Sequence, residues 1–341
     1  MMLSNTFQLH VYTLATFCGL NVLFTSAQNN PIIFPTGAKS LFIGHSFFVP
    51  IAKTFDFFAS SMPGAFPNHD VQVFGSSGES GIPLKLWRHH KDDIEPMLAT
   101  GEVELFGMTV GSCDVDADGH CIDGVYSNDK LNAYKDWIDL ALSYNPDTSI
   151  YIGVPWKGSP SSFHNAAEYM EWIQHGGELV FKFIDDLRSL YPNTDIHFLN
   201  YGIVAGEMRN LFEQDKLVGI VEMIKDQADD DSSLFVDQKG HPGDMLKELA
   251  ALTWLTWFYG VPVNDIVNKI DQSLGWDKQN VVDILTSAVE NNKDYRLYEA
   301  SPHDSVTPFA VQMRRKKRMK RRMKKIRAIV RDIRRMDEEY C

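Results

Sequence analysis

The chain has 341 residues, 44% of them hydrophobic and 23% charged, a balance that excludes a disordered or fibrous protein and allows a substantial buried core. Four cysteines are too few for a disulfide scaffold, and 15 prolines and 23 glycines scattered along the chain exclude a low-complexity protein. The net charge of −12 is unevenly spread: residues 314–335 hold 14 of the 33 Lys and Arg against one acid, Asp332, so the remainder carries 19 basic and 44 acidic residues. A body at −25 should repel nucleic acid, whereas a segment at +13 should attract polyanions.

Residues 11–27 (VYTLATFCGLNVLFTSA) are apolar and uncharged and end in small residues, with Thr25 and Ala27 at the −3 and −1 places before polar Gln28. The pattern predicts a cleaved signal peptide over residues 1–27 and a secreted or extracytoplasmic protein. Because the stretch approaches the ~20 residues of a membrane span and no Lys or Arg precedes it, an uncleaved N-terminal anchor is the second reading. Cleavage would leave Cys113, Cys121 and Cys341, and in an oxidising compartment the first two are spaced for a bridge.

From residue 38 to 291 short apolar runs alternate with longer amphipathic segments, the pattern of a parallel sheet covered on both faces by crossover helices. Strands are predicted at 40–43, 70–74, 103–110, 149–154 and 195–199, and helices at 47–60, 128–143, 166–190, 203–226, 244–258 and 277–290. The fold class is therefore α/β, a three-layer α/β/α sandwich on a five-stranded parallel, flavodoxin-like sheet. In such sheets ligands meet the carboxyl ends of the strands.

Three of those ends carry chemistry. The first strand runs into Gly44-His45-Ser46-Phe47, where Ser46 either caps a helix or presents its hydroxyl and backbone N–H to a reacting group. The second is followed by Gly75-Ser76-Ser77-Gly78-Glu79-Ser80-Gly81, a flexible turn or a loop whose glycines let backbone N–H groups approach a ligand. Near the end, Asp237 and His241 share the loop Phe235–Gly243. Serine needs a base to become nucleophilic, and a histidine base needs an acceptor on its other nitrogen. Trp156, after the fourth strand, either lines the crevice as a platform for a sugar or packs in the interior.

Over residues 38–258 these blocks resemble the SGNH/GDSL hydrolase family in motif and order. Gly44-His45-Ser46-Phe47 is similar to that family's Gly-Asp-Ser-Leu or Gly-Asn-Ser-Phe block, with His45 in the place of Asp or Asn. Ser77-Gly78-Glu79-Ser80 is similar to its Ser-Gly-Asp-Thr block, and Asp237-Gln238-Lys239-Gly240-His241-Pro242 to its Asp-x-x-His-Pro block with one residue added. The third block, Gly-Thr-Asn-Asp, is met by Gly111-Ser112-Cys113-Asp114, which puts a thiol where an amide donor is expected. The resemblance implies an ester hydrolase with Ser46 as nucleophile, His241 as base, Asp237 as its orienting acid, and Ser46 and Gly78 N–H groups as the oxyanion hole. It implies no cofactor for the chemistry; His45, beside the serine, and Trp156, after the fourth strand, are the candidate residues of the substrate crevice.

Two further features lie outside that resemblance. In Cys113–Gly124, Asp114, Asp116, Asp118 and Asp123 form an oxygen-rich loop that either holds a structural Ca2+ or is a solvated acidic loop. The twelfth position of an EF-hand count is Val125 rather than Glu, so the loop would be irregular. After a linker at 292–308, Met319, Met323, Ile326, Val330 and Ile333 fall on one helical face of a basic tail, 309–341, suited to an anionic membrane or acidic polysaccharide. Export argues against nucleic acid as its partner. Two functions therefore stand: an exported serine ester hydrolase, and a catalytically silent binding protein on the same scaffold that works through the acidic loop or the tail.

Overall fold

The structure, a computed structural model, describes residues 34–62, 64–110, 128–226, 232–267 and 276–291. Segments 1–27, 292–308 and 309–341 lie outside the described residues, as does the Cys113–Cys121 pair. Five parallel strands, β1 (Lys39–Gly44), β2 (Asp70–Gly75), β3 (Leu105–Thr109), β4 (Ser149–Val154) and β5 (Ile196–Asn200), form one sheet in the order β2-β1-β3-β4-β5. That is the flavodoxin-like order, in which the chain reverses its direction of travel across the sheet beside β1.

Side chains alternate across each strand, and the two faces bury different sets. Phe42 enters the cluster with Phe48, Ile51, Trp254, Leu255 and Phe258, whereas its neighbours Leu41 and Ile43 enter the cluster with Leu86, Ile94, Trp137, Ile138 and Phe183. Helices α1 (Val49–Ser60), α5 (Ile203–Glu213), α6 (Asp244–Tyr259) and α8 (Lys278–Glu290) supply the first layer. Helices α2 (Pro83–Leu98) and α3 (Asn128–Tyr144) supply the second, joined by the C-terminal half of α4 (Ala166–Leu190). The fold is a three-layer α/β/α sandwich.

Three local expectations need correction. The helix predicted over 203–226 stops at Glu213. Asp215 takes a left-handed backbone with φ +56°, while its N–H bonds the Phe212 carbonyl and the Lys216 N–H bonds that of Leu211. This pair of bonds is a Schellman stop, reached with Asp in the place usually held by glycine. Helix α2 has no counterpart among the predicted elements. Proline opens it, as it often does, but Pro96 and the polar run Arg88–Asp93 interrupt its apolar spacing. The third difference is a second, two-stranded parallel sheet, β6 (Glu222–Ile224) with β7 (Ser233–Phe235), and a short helix α7 (Val263–Val267), neither of them predicted. Strands of three residues are too short to show a period of two.

Candidate active site

Ser46 lies in the tight turn between β1 and α1, at the carboxyl edge of the sheet beside the switch point. The His45 carbonyl accepts the N–H groups of Phe48 and Val49, at 2.9 Å each, which starts the helix directly after the serine. The His45 ring closes the turn from the side: its Nδ1 accepts the Phe47 N–H at 3.2 Å, and its Nε2 lies 3.2 Å from the Thr109 hydroxyl at the end of β3. Burial pushes this imidazole down to about 4, and the nearby His241 adds to the effect. The ring is therefore neutral at pH 7. Since a backbone N–H can only donate, the proton sits on Nε2, beside the Thr109 hydroxyl and the Val110 carbonyl. The Phe47 carbonyl is held in turn by the Tyr201 hydroxyl at 2.9 Å, a donor that burial keeps protonated.

The second part of the site is the loop between β7 and α6. Its neck is closed by the Val236 N–H to the His241 carbonyl, at 2.9 Å, and by a bridge between Phe235 and Pro242. At its tip the Gly240 N–H bonds the Asp237 carbonyl at 3.0 Å. Gly240 has φ +88°, a conformation that favours glycine. Asp237 Oδ2 lies 2.6 Å from His241 Nδ1, and Oδ1 accepts the His241 backbone N–H at 3.1 Å. Partial burial pushes the Asp237 carboxyl up, but the bonds from the His241 ring, the His241 N–H and the Gly240 N–H outweigh it and hold it below its ordinary value. An ionised carboxylate only accepts, so Nδ1 carries a proton, and in the neutral form of the ring Nε2 is the acceptor. His241 Nε2 lies 2.8 Å from Ser46 Oγ.

No family model matches the chain, and no curated protein matches it in sequence. In structure it is similar to the periplasmic domain of a lipopolysaccharide acetyltransferase from Salmonella ser. Paratyphi A, at 13% identity and a TM-score of 0.36, over 65% of this chain and 84% of that one.

The Gly78 loop adjoins the serine turn. Gly75 pairs with Gly44 in the sheet register, and the Ser76 N–H bonds the Gly44 carbonyl at 3.2 Å. A side chain at Gly81 would stand 2.6 Å from the Gly44 oxygen and from His45 Cα, so only glycine lets the loop lie this close to the turn. Gly78 itself is exposed, with φ +53°, at the start of the 3-10 turn Gly78–Gly81.

Trp156 does not line a crevice. It is 2% exposed, packs on Phe47 and Tyr201, and donates its indole N–H to the Gly240 carbonyl at 2.8 Å. The carbonyl buried beside it leaves this ring more to gain inside than facing solvent. Asp114, Asp116, Asp118, Asp123 and Cys113 lie outside the described residues. Among the described residues no group of three or more His, Cys, Asp and Glu side chains could hold a metal ion, and no helix is long and apolar enough to cross a membrane.

Thr109 and Tyr201, which hold the serine turn from β3 and from the end of β5, carry no sequence signal. A hydroxyl at a strand end is common, and only the strand order brings these two to the same turn. Gly240 was legible as a glycine directly before the histidine.

Proposed function

We propose that the chain is an exported serine enzyme that hydrolyses acyl esters, with Ser46 as nucleophile, His241 as general base and acid, and Asp237 as the residue that fixes the imidazole. The observation that carries this reading is the continuous run of hydrogen bonds from Ser46 Oγ through both His241 nitrogens to Asp237, at 2.8 and 2.6 Å, between groups 195 positions apart in the chain. His241 removes the serine proton as Oγ attacks the ester carbonyl, and the charge gathers on the carbonyl oxygen near the N–H groups of Ser46 and Gly78. Collapse breaks the bond to the alcohol, which takes the proton from His241. A water, deprotonated by the same ring, then attacks the acyl-serine and releases the acid, and the proton returns to Ser46.

Substrates in this reading are acyl esters of lipids, carbohydrates or small alcohols. Segment 11–27 supports export, and the basic segment 309–341 suits an anionic membrane or polysaccharide that would bring the enzyme to its substrate. A calcium ion at Asp114, Asp116, Asp118 and Asp123 would be structural.

Ser46→Ala should abolish both labelling by a fluorophosphonate probe and turnover of p-nitrophenyl acetate, a loss of at least about a thousandfold, with the thermal unfolding midpoint unchanged. Retained turnover in the folded variant would reject the assignment.

A further inference from the structure

The three residues between Asp237 and His241 are each fastened to the loop that follows β4. The Trp156 indole N–H donates to the Gly240 carbonyl at 2.8 Å, the Ser159 N–H to the Lys239 carbonyl at 3.0 Å, and the Ser161 hydroxyl to Gln238 Oε1 at 2.9 Å. The two loops touch closely: a side-chain carbon on Gly240 would stand 2.9 Å from Pro160 Cδ. Ser159 holds a left-handed backbone, φ +53°, a strained state for a non-glycine residue that persists only where its surroundings fix it. Part of that fixing comes from Arg209, whose guanidinium donates to the carbonyls of Pro160 and Phe163 at 2.8 and 3.0 Å.

Trp156, in this loop, reaches both halves of the site. Its ring lies 5.6 Å from that of Phe47, the residue after the serine, and Phe47 lies 5.1 Å from the His241 ring. Its N–H holds the carbonyl of the residue before His241. At 2% exposure it does not meet substrate. We propose that Trp156 is a positioning residue, setting the His241 ring against Ser46 through its indole bond to Gly240 and its packing on Phe47. This inference rests on the function proposed above.

Trp156→Phe keeps most of the ring and removes the donor. The readout is saturation kinetics of Ser46 phosphonylation by a fluorophosphonate probe. The maximal rate should fall about tenfold, with the half-saturating probe concentration unchanged, because displaced reacting groups slow the chemical step rather than binding. Ile138→Val, which loosens the apolar cluster on the opposite face of the sheet, serves as the comparison for a purely structural effect and should react at the wild-type rate. Phe47→Leu removes the half-buried ring through which Trp156 packs toward His241 and should slow the maximal rate about threefold. Wild-type maximal rates in a folded Trp156→Phe overturn the proposal; if that variant does not fold, a wild-type rate in Phe47→Leu does so. A wild-type chain that the probe leaves unlabelled at Ser46 overturns the proposed function instead.

Discussion

An imidazole at residue 45 does the work of a shorter polar side chain. Asp and Asn commonly accept the N–H two residues further on and so stabilise a turn, and His45 Nδ1 makes that bond to Phe47. Histidine adds a reach those residues lack, because its second nitrogen extends to Thr109 on the neighbouring strand. We predict that His45→Ala lowers kcat for p-nitrophenyl acetate about 10- to 100-fold, whereas His45→Asn, whose amide oxygen can accept the same N–H, recovers most of the loss. Equal activity in the two variants would show that the turn does not need an acceptor there. The place of His45 in the chain marked it as a departure from the resembled motif; its role was illegible, since the residue that completes it lies 64 positions away.

Among the elements, α5 carries two features that sequence spacing misreads. Arg209 falls four residues before Glu213, a spacing typical of an exposed helical pair. Its side chain is nevertheless only 2% exposed, clasped by Glu213 and two carbonyls of the loop after β4. Arg209→Met should cost about 3 kcal/mol in urea denaturation, because two buried carbonyls and a carboxylate each lose a charged donor. The helix then ends on Asp215 with φ +56°. Replacing Asp215 by Gly relieves a left-handed non-glycine backbone and should raise stability by about 1 kcal/mol in the same measurement; a loss would mean that the aspartate side chain matters more than its backbone. Helix boundaries set by hydrophobic period alone ran through this stop because Leu217, Ile220, Val221 and Ile224 continue an apolar pattern after the helix has ended.

For the molecule as a whole, two buried imidazoles predict sensitivity to acid. Burial pushes His45 down to about 4 and His197 down to about 3, from an ordinary value of 6.5. The unfolded chain therefore binds protons at higher pH than the folded one. Their contribution to stability is complete above pH 6.5, declines as the pH falls, and is exhausted for His45 near 4 and for His197 near 3. For His45 alone the shift corresponds to a few kcal/mol, on the order of 3. The unfolding midpoint in urea should fall steadily between pH 6.5 and 4, and His45→Asn should flatten that slope. A slope unchanged in the variant would assign the acid sensitivity elsewhere. His197 stacks on Tyr151 inside the core at 4.7 Å, and its sequence context, a polar residue inside an apolar strand, gave no sign of this.

The alternation of apolar runs and amphipathic segments determined the layered α/β fold, because side-chain period follows backbone geometry and is written locally. The order of Ser46, Asp237 and His241, and the glycines around Gly78, were likewise legible as residue types suited to one another. What only the tertiary structure decided was contact. Strand order brings Thr109 to His45, the loop after β4 to the residues between Asp237 and His241, and Trp156 into the interior rather than the crevice. A hydrogen bond is formed within about 3 Å, and the positions that meet at that distance depend on how distant elements pack.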